Sequence, residues 1–264
     1  MDEGRVVDMF GCINSDLFSE DRFLPNDINI RIRLVRNKDA FCLMSSVAAA
    51  AYKVQLLECK LFVRKVKLSP SVFLAHAKAL EHGNVKFPIR RAICKTFTIP
   101  RGNLDASQES LFTGLIPTRL VIGCVDNDAF NGSYTRNPLN FKHMNMSQLK
   151  VYVDGQQHFV KPLEIYFANN LYINAYATLF IGTGKWMRDE GNGRSREDFP
   201  GGYALYAFDL TADLSENDHF NLIRQGNIRL DMKFSQALAS TINVIAFAEF
   251  EIDRSRNVIF DYDN

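Results

Sequence analysis

The chain has 264 residues, 47% of them hydrophobic, so it can fill the core of one large domain or of two modest ones. Its 31 Lys and Arg residues balance 30 Asp and Glu residues, which excludes a global electrostatic attraction to nucleic acid. The five Cys residues are widely spaced and form no C-x-x-C pair. This usage indicates free thiols in a reducing compartment, the cytosol or the nucleus.

The start and the end of the chain carry one β-pattern twice. Residues 29–34 (NIRIRL) and 227–234 (NIRLDMKF) alternate apolar and polar side chains, which is the period of a half-buried strand. A polar break and a second strand-like run follow each copy, at residues 52–66 and 242–252. Only the second copy is preceded by a segment long enough to form the rest of a β-module. We therefore expect residues 1–68 to hold the closing strands of a truncated first module; chance recurrence of a common pattern is the other interpretation.

A helix is predicted directly after this segment. Ser69 is a good N-cap, Pro70 suits the first helical position, and Gly83 is placed to end the helix. Phe73 and Leu80 lie on one apolar face of it. We interpret residues 69–86 as a helical connector between two β-bodies.

Short strands separated by turns fill residues 87–264. The candidates after Pro88 are residues 91–99, 118–125, 149–153, 171–180 and 203–210, followed by the two closing strands. The pair Asp154-Gly155 predicts a tight hairpin, because it supplies the positive φ values of a primed turn. This spacing is typical of an all-β fold, an antiparallel jelly-roll sandwich with short connecting helices.

Two long polar insertions interrupt this module, at residues 126–140 and 182–202. Insertions of this length in a sandwich are usually contact regions. Three aromatic side chains inside them, Tyr134, Trp186 and Phe199, have no local core and are our candidates for interface anchors. The alternative is that they fold back and pin their own loops.

No pattern in the sequence predicts a catalytic, cofactor or metal site. Residues 182–185 (GTGK) lack the spacing and the following Ser or Thr of a phosphate-binding loop. Residues 126–137 resemble a calcium loop, but Asn137 stands where a bidentate Glu belongs. The five His residues show no metal-ligand spacing, although ligands from distant positions can converge. We therefore expect no enzyme activity and no cofactor, with a cupin-like metalloenzyme left as a minor alternative.

No secretory signal and no membrane-spanning stretch are found in the sequence. The protein is therefore expected not to be secreted.

Five distinctive strings spread over nearly the whole chain carry a family resemblance. They are residues 24–34 (LPNDINIRIRL), 69–77 (SPSVFLAHA), 95–102 (KTFTIPRG), 137–143 (NPLNFKH) and 218–222 (DHFNL). With these strings the chain resembles the double jelly-roll major capsid proteins of Polinton/Maverick and adintovirus-like elements in invertebrate genomes. That family is related in architecture to the adenovirus hexon.

The resemblance implies a capsid shell protein with two jelly rolls side by side, three copies of which form a pseudo-hexagonal capsomer. The partners would be further copies of this chain and other capsid proteins, with no specific nucleic acid, and the location would be the virion. Full-length members of the family carry most of the first jelly roll upstream. We therefore expect this chain to come from a truncated gene model or from a decayed endogenous copy. A jelly-roll module that binds carbohydrate or protein through its long loops is the principal alternative.

Overall fold

The structure is a computed structural model, and it describes residues 6–19, 23–24, 28–47, 51–82, 90–158, 161–186, 188, 190–211 and 224–251. The chain divides into two compact units. The first comprises Met1–Leu34, Phe62–Arg90 and Arg254–Asn264, and the second comprises Val35–Leu61 and Arg91–Asp253.

The first unit is built from helices and irregular chain in its described residues. Helix α1 spans Asp16–Ser19, helix α2 of the other unit spans Asp39–Cys42, and helix α3 spans Pro70–His82. The predicted helix after Ser69 is thus confirmed, whereas Gly83 and the rest of the connector lie outside the described residues. The apolar side chains of α3 are exposed, with Phe73 50% and Leu74 67% accessible.

The predicted strands at residues 29–34 and 52–66 are wrong. Both segments are described, and neither contains a strand. A strand obtains its backbone hydrogen bonds from a neighbour, and no described residue pairs with either segment in a sheet. Correct alternation is therefore not enough to form a strand in this chain.

The second unit contains two antiparallel sheets. Its elements in chain order are α2 (Asp39–Cys42), β1 (Arg90–Ile99), β2 (Asp105–Leu115), β3 (Arg119–Asp126), α4 (Asn127–Asn131), β4 (Met146–Val153), β5 (Gln156–Gln157), β6 (Leu163–Glu164), α5 (Ile173–Ile181), β7 (Leu205–Asp209), β8 (Gln225–Phe234) and β9 (Ile242–Glu251). Arg90, the first residue of β1, is assigned to the first unit. Two 3-10 turns, Phe167–Asn169 and Phe199–Gly201, flank α5.

The strand order is that of a jelly roll. One sheet has the order β1-β9-β3-β7, and the other has the order β2-β8-β4-β5, with β6 also paired to β4. Each early strand therefore pairs with its counterpart from the other end of the chain: β1 with β9, β2 with β8, β3 with β7, and β4 with β5 and β6. The predicted antiparallel jelly-roll sandwich is confirmed.

The core lies between the two sheets and follows from the alternation of the strands. In β8, Ile228, Leu230 and Met232 face inward and are buried, while Arg229 and Asp231 face outward and form an ion pair of 2.8 Å. Leu120 and Ile122 of β3 approach from the opposite sheet and are fully buried. Each such side chain contributes about 1.5–3 kcal/mol through burial.

One predicted turn is present in the structure, and one predicted strand is a helix. Asp154 and Gly155 have φ values of 51° and 77°, so the predicted hairpin between β4 and β5 is confirmed. The predicted strand at residues 171–180 is wrong, because Ile173–Ile181 form helix α5. Strand β2 has no counterpart among the predicted strands.

The Tyr206 hydroxyl is a polar group of the core that its packing leaves unsatisfied. The Tyr206 side chain is fully buried, its hydroxyl has no hydrogen-bond partner among the described residues, and burial together with the nearby Cys124 raises the pKa of Tyr206 well above its usual value. Removing an unpaired buried hydroxyl spares its desolvation cost.

We expect Tyr206→Phe to raise the free energy of unfolding by about 1 kcal/mol, measured by urea denaturation. Tyr176→Phe is the matched control, because the Tyr176 hydroxyl donates to the Arg194 carbonyl at 2.7 Å and its loss should not stabilise the protein. A destabilised Tyr206→Phe variant would show that the hydroxyl is satisfied in solution.

Candidate functional site: the loop end of the jelly roll

Four connections meet at one end of the sandwich, which we call the loop end. They are the short β1–β2 and β8–β9 connections and the long β3–β4 and β6–β7 insertions. The Gly102 N–H donates to the Leu238 carbonyl at 2.9 Å, and the Phe141 N–H donates to the Gly202 carbonyl at 2.8 Å. The predicted insertions at residues 126–140 and 182–202 are thus neighbours in the fold.

The β3–β4 insertion is fixed by a partly buried ion-pair cluster. Asp126 at the end of β3 accepts from Arg136 at 3.0 Å and from the Lys142 ammonium through the same carboxylate oxygen. The Lys142 N–H also donates to the Cys124 carbonyl at 2.9 Å. These contacts join both ends of the insertion, so Asp126 has a structural role as the partner of two cations.

Helix α5 of the β6–β7 insertion covers strand β7, an edge strand of its sheet. The Thr178 hydroxyl accepts from the Ala207 N–H at 3.4 Å and donates to the Ala175 carbonyl at 2.6 Å. At the end of the helix, a Cβ atom on Gly182 would lie 2.5 Å from the Ala207 carbonyl carbon. The helix therefore protects the sheet edge through a close backbone contact that only glycine permits.

A stack of aromatic rings connects the two insertions with the core. His143 lies on Phe167 with ring centroids 4.1 Å apart, and Phe167 stacks on Tyr172 at 5.4 Å. Phe199 continues the stack at 6.0 Å from Tyr172 and meets Tyr206 edge-on at 5.9 Å. Aromatic pairs at these distances contribute about 0.5–1.5 kcal/mol beyond burial.

Phe199 does not serve as an exposed interface anchor, which corrects the prediction. It is 1% exposed and belongs to the core of the jelly roll. Its partners Tyr172 and Tyr206 lie in other elements, so the local sequence around Phe199 contains no sign of them. The alternative, that the side chain folds back and pins its own loop, describes its position.

Tyr134 contacts an earlier segment of its own chain. Its hydroxyl donates to the Tyr52 carbonyl at 2.9 Å, its ring meets Tyr52 edge-on at 5.7 Å, and its carbonyl accepts from the Ser45 N–H at 2.7 Å. Tyr134 therefore holds Ser45 and Tyr52 against the β3–β4 insertion. A role between subunits stays a prediction.

Trp186 is exposed, as an interface anchor must be. Its side chain is 58% accessible and borders an open groove of about 470 Å³. The groove is lined by α5 and the chain that follows it: Ile173, Tyr176, Ala177, Phe180, Lys185, Trp186, Arg188, Glu190 and Gly191. An exposed Trp beside aliphatic, aromatic and charged side chains has the composition of a protein-contact region. Its role in an interface stays a prediction.

His143 was missed as a site residue because it is isolated from the other His residues in the sequence. Partial burial lowers its pKa from the usual value. Its Nδ1 atom accepts from the Asn145 N–H at 3.0 Å, so the neutral form carries its proton on Nε2. Met144 and Asn145, which follow it, carry no sequence signal of this contact.

The described part of the chain has neither a metal-binding cluster nor a membrane-spanning helix. No group of three or more His, Cys, Asp or Glu side chains there is arranged to hold a metal ion. Among the described helices, none has the length and apolar character needed to span a bilayer.

The fold and the loop end define the chain as an antiparallel jelly-roll protein with two long insertions. No protein-family model matches the sequence. The chain is 27% identical over 263 residues to the uncharacterized protein F54H12.2 of Caenorhabditis elegans, in a match that covers 94% of this chain. This chain spans 62% of the length of that relative.

Two solved viral structures show a remote likeness. The major capsid protein P2 from bacteriophage PM2 is 14% identical, with a TM-score of 0.28 over 64% of this chain and 46% of that one. PBCV-1 VP54, fitted into a reconstruction of the virophage Sputnik, is 10% identical, with a TM-score of 0.32 over 62% of this chain and 49% of that one. TM-scores of this size are too low to support an argument.

Proposed function

We propose that this protein is a viral or virus-derived capsid subunit that associates with further copies of itself. One observation carries the proposal: the jelly roll has a packed apolar interior, and its long insertions are concentrated at one end. Ile122, Leu230 and Ala246 fill the space between the sheets without exposure to solvent. The fold thus supplies a rigid wall, and the loop end supplies the variable contacts.

The packed interior favours a structural role over a cupin-like enzyme. A cupin would place its metal and substrate between the sheets, where this chain has Tyr206, Phe208 and Ile228. The proposal therefore includes no catalytic activity and no cofactor.

The finer features of the proposal come from the family resemblance. They are a homotrimeric, pseudo-hexagonal capsomer of Polinton/Maverick or adintovirus-like type and location in the virion. Residues 1–68 are proposed to correspond to the end of a first jelly roll, 69–86 to the connector, and 87–264 to the second jelly roll. Residues 29–34 and 52–66 form no strands in this chain, and the proposal is that they pair only beside the rest of a first jelly roll. The exposed apolar side chains of Phe73 and Leu74 in α3 support a missing packing partner for the first unit.

Trp186→Ser tests the proposal at the loop end. If Trp186 is an interface anchor, its removal should weaken self-association about tenfold or more, measured by sedimentation velocity over a range of concentrations. The fold should persist, because the side chain is exposed. Leu115→Ser is the matched control: Leu115 is also exposed, but it ends β2 at the opposite end of the sandwich.

Equal association of the parent and the Trp186→Ser variant would contradict a Trp186 interface.

The groove beside Trp186 also favours a second candidate function, a jelly-roll module that binds carbohydrate or protein. That candidate predicts a stable monomer that binds one ligand per chain, and it would replace the capsid proposal if the parent protein stayed monomeric while doing so.

A further inference from the structure

A strained turn follows His143 at the loop end. Met144 and Asn145 both have φ values of 51°, a left-handed conformation that costs non-glycine residues about 1–2 kcal/mol each. Two consecutive residues of this kind need surrounding contacts to hold them. The turn leads directly into Met146, a buried residue at the start of β4.

Three sets of hydrogen bonds hold this turn. The Met146 N–H donates to the His143 carbonyl at 2.8 Å, and the Asn145 N–H donates to Nδ1 of the His143 ring at 3.0 Å. The Asn145 carbonyl accepts from the N–H and the hydroxyl of Ser235 at 2.9 and 3.0 Å. The turn therefore joins the β3–β4 insertion to the β8–β9 connection.

The bond at His143 Nδ1 exists in one protonation state of the ring. The acceptor is the lone pair on Nδ1, and an imidazolium ring has an N–H at that atom instead. The ring cannot easily turn to offer another acceptor, because it is stacked on Phe167. A proton taken up from solvent would place two N–H donors against each other at the most strained point of the turn.

We propose that His143 is a pH-sensitive latch: the neutral ring holds the left-handed turn at residues 144–145, and protonation releases the turn and loosens the loop end. The released turn frees the N-terminal end of β4 and its link to Ser235. The latch goes beyond the proposed capsid role, and it acts within a single chain.

The surroundings of His143 set the direction of the switch. Lys142 is the charged residue among the described side chains that line the cavity beside the ring, and its ammonium is paired with Asp126. The 3-10 turns that pack nearby contribute Phe167, Pro200 and Gly201, which do not titrate. Burial lowers the pKa of His143 below the usual value of about 6.5. The latch is therefore closed at neutral pH and opens as the pH falls through that lowered value.

The test follows two signals of the full chain during one pH titration. Protein labelled with ¹⁵N in His and Asn is observed by NMR from pH 7.5 to 4.5. We expect the Asn145 amide signal to shift with the same midpoint as the His143 ring, below pH 6.5. Protection of that amide against hydrogen exchange, corrected for intrinsic rates, should fall about five- to tenfold when the bond is lost.

His143→Asn is the matched variant. The side-chain oxygen of Asn occupies the position of Nδ1 and accepts the same hydrogen bond, but it does not titrate. The variant should retain the turn and lose the pH-dependent change at residue 145. A wild-type Asn145 amide that does not respond to the His143 titration would overturn the latch, as would an unchanged transition in His143→Asn. Neither result bears on self-association, so the latch and the capsid proposal fail separately.

Discussion

Replacing Phe199 by Ser should lower the free energy of unfolding by about 3–5 kcal/mol. The ring is buried among Phe167, Tyr172 and Tyr206, so its loss leaves a cavity and removes four aromatic contacts, including the edge-on contact with Tyr176. A polar hydroxyl would replace it. Thermal unfolding followed by circular dichroism should show a melting temperature lower by about 10 °C.

Trp186→Ser is the control for this experiment, because Trp186 is also an aromatic residue of the β6–β7 insertion but is exposed. Its unfolding free energy should change by no more than about 0.5 kcal/mol. If both variants were equally stable, Phe199 would not belong to the core in solution, and its role as an interface anchor would have to be considered again.

Replacing Gly182 by Ala should destabilise the protein by about 1–3 kcal/mol. The backbone of Gly182 has an ordinary helical φ of −69°, so alanine at such a position would normally stabilise a protein slightly. Here the added Cβ would meet the Ala207 carbonyl oxygen at 2.6 Å and force α5 away from β7. Urea denaturation gives the change directly, and hydrogen exchange should locate it in α5 and β7.

Gly191→Ala is the matched control in the same insertion. A Cβ atom there would meet nothing closer than 3.9 Å, and Gly191 has no positive φ. Its stability should be close to that of the parent. A Gly182→Ala variant as stable as the Gly191→Ala variant would show that the contact between α5 and β7 is looser than described.

The jelly roll could be predicted because apolar residues, which form its core, alternate with polar residues along its strands. Ile228, Leu230 and Met232 are spaced by two residues and face the core, as the sequence pattern requires. The same reasoning from apolar patterns failed at residues 171–180. This segment is apolar on nearly all sides, so its pattern fits a buried strand as well as a buried helix. Packing against β7, through Thr178, favours the helix.

The candidate site was predictable in place but not in detail. Polar composition marked both insertions, and the jelly-roll order brings them to the same end. The burial of Phe199 depends on Phe167 and Tyr206, which no short pattern connects with it. The strands predicted at residues 29–34 and 52–66 show the opposite error, since the alternation is present there without a partner strand among the described residues.

Sedimentation velocity tests the central claim, self-association as a capsid subunit, most directly. The chain should be measured alone and fused to the part of its longer C. elegans relative that lies outside the match, which tests whether that part supplies the proposed first jelly roll. We expect the fusion to form a discrete species of three times the monomer mass, reduced by Trp186→Ser. Monomers at every concentration in both proteins, with the β-sheet circular dichroism signal intact, would contradict a capsid role.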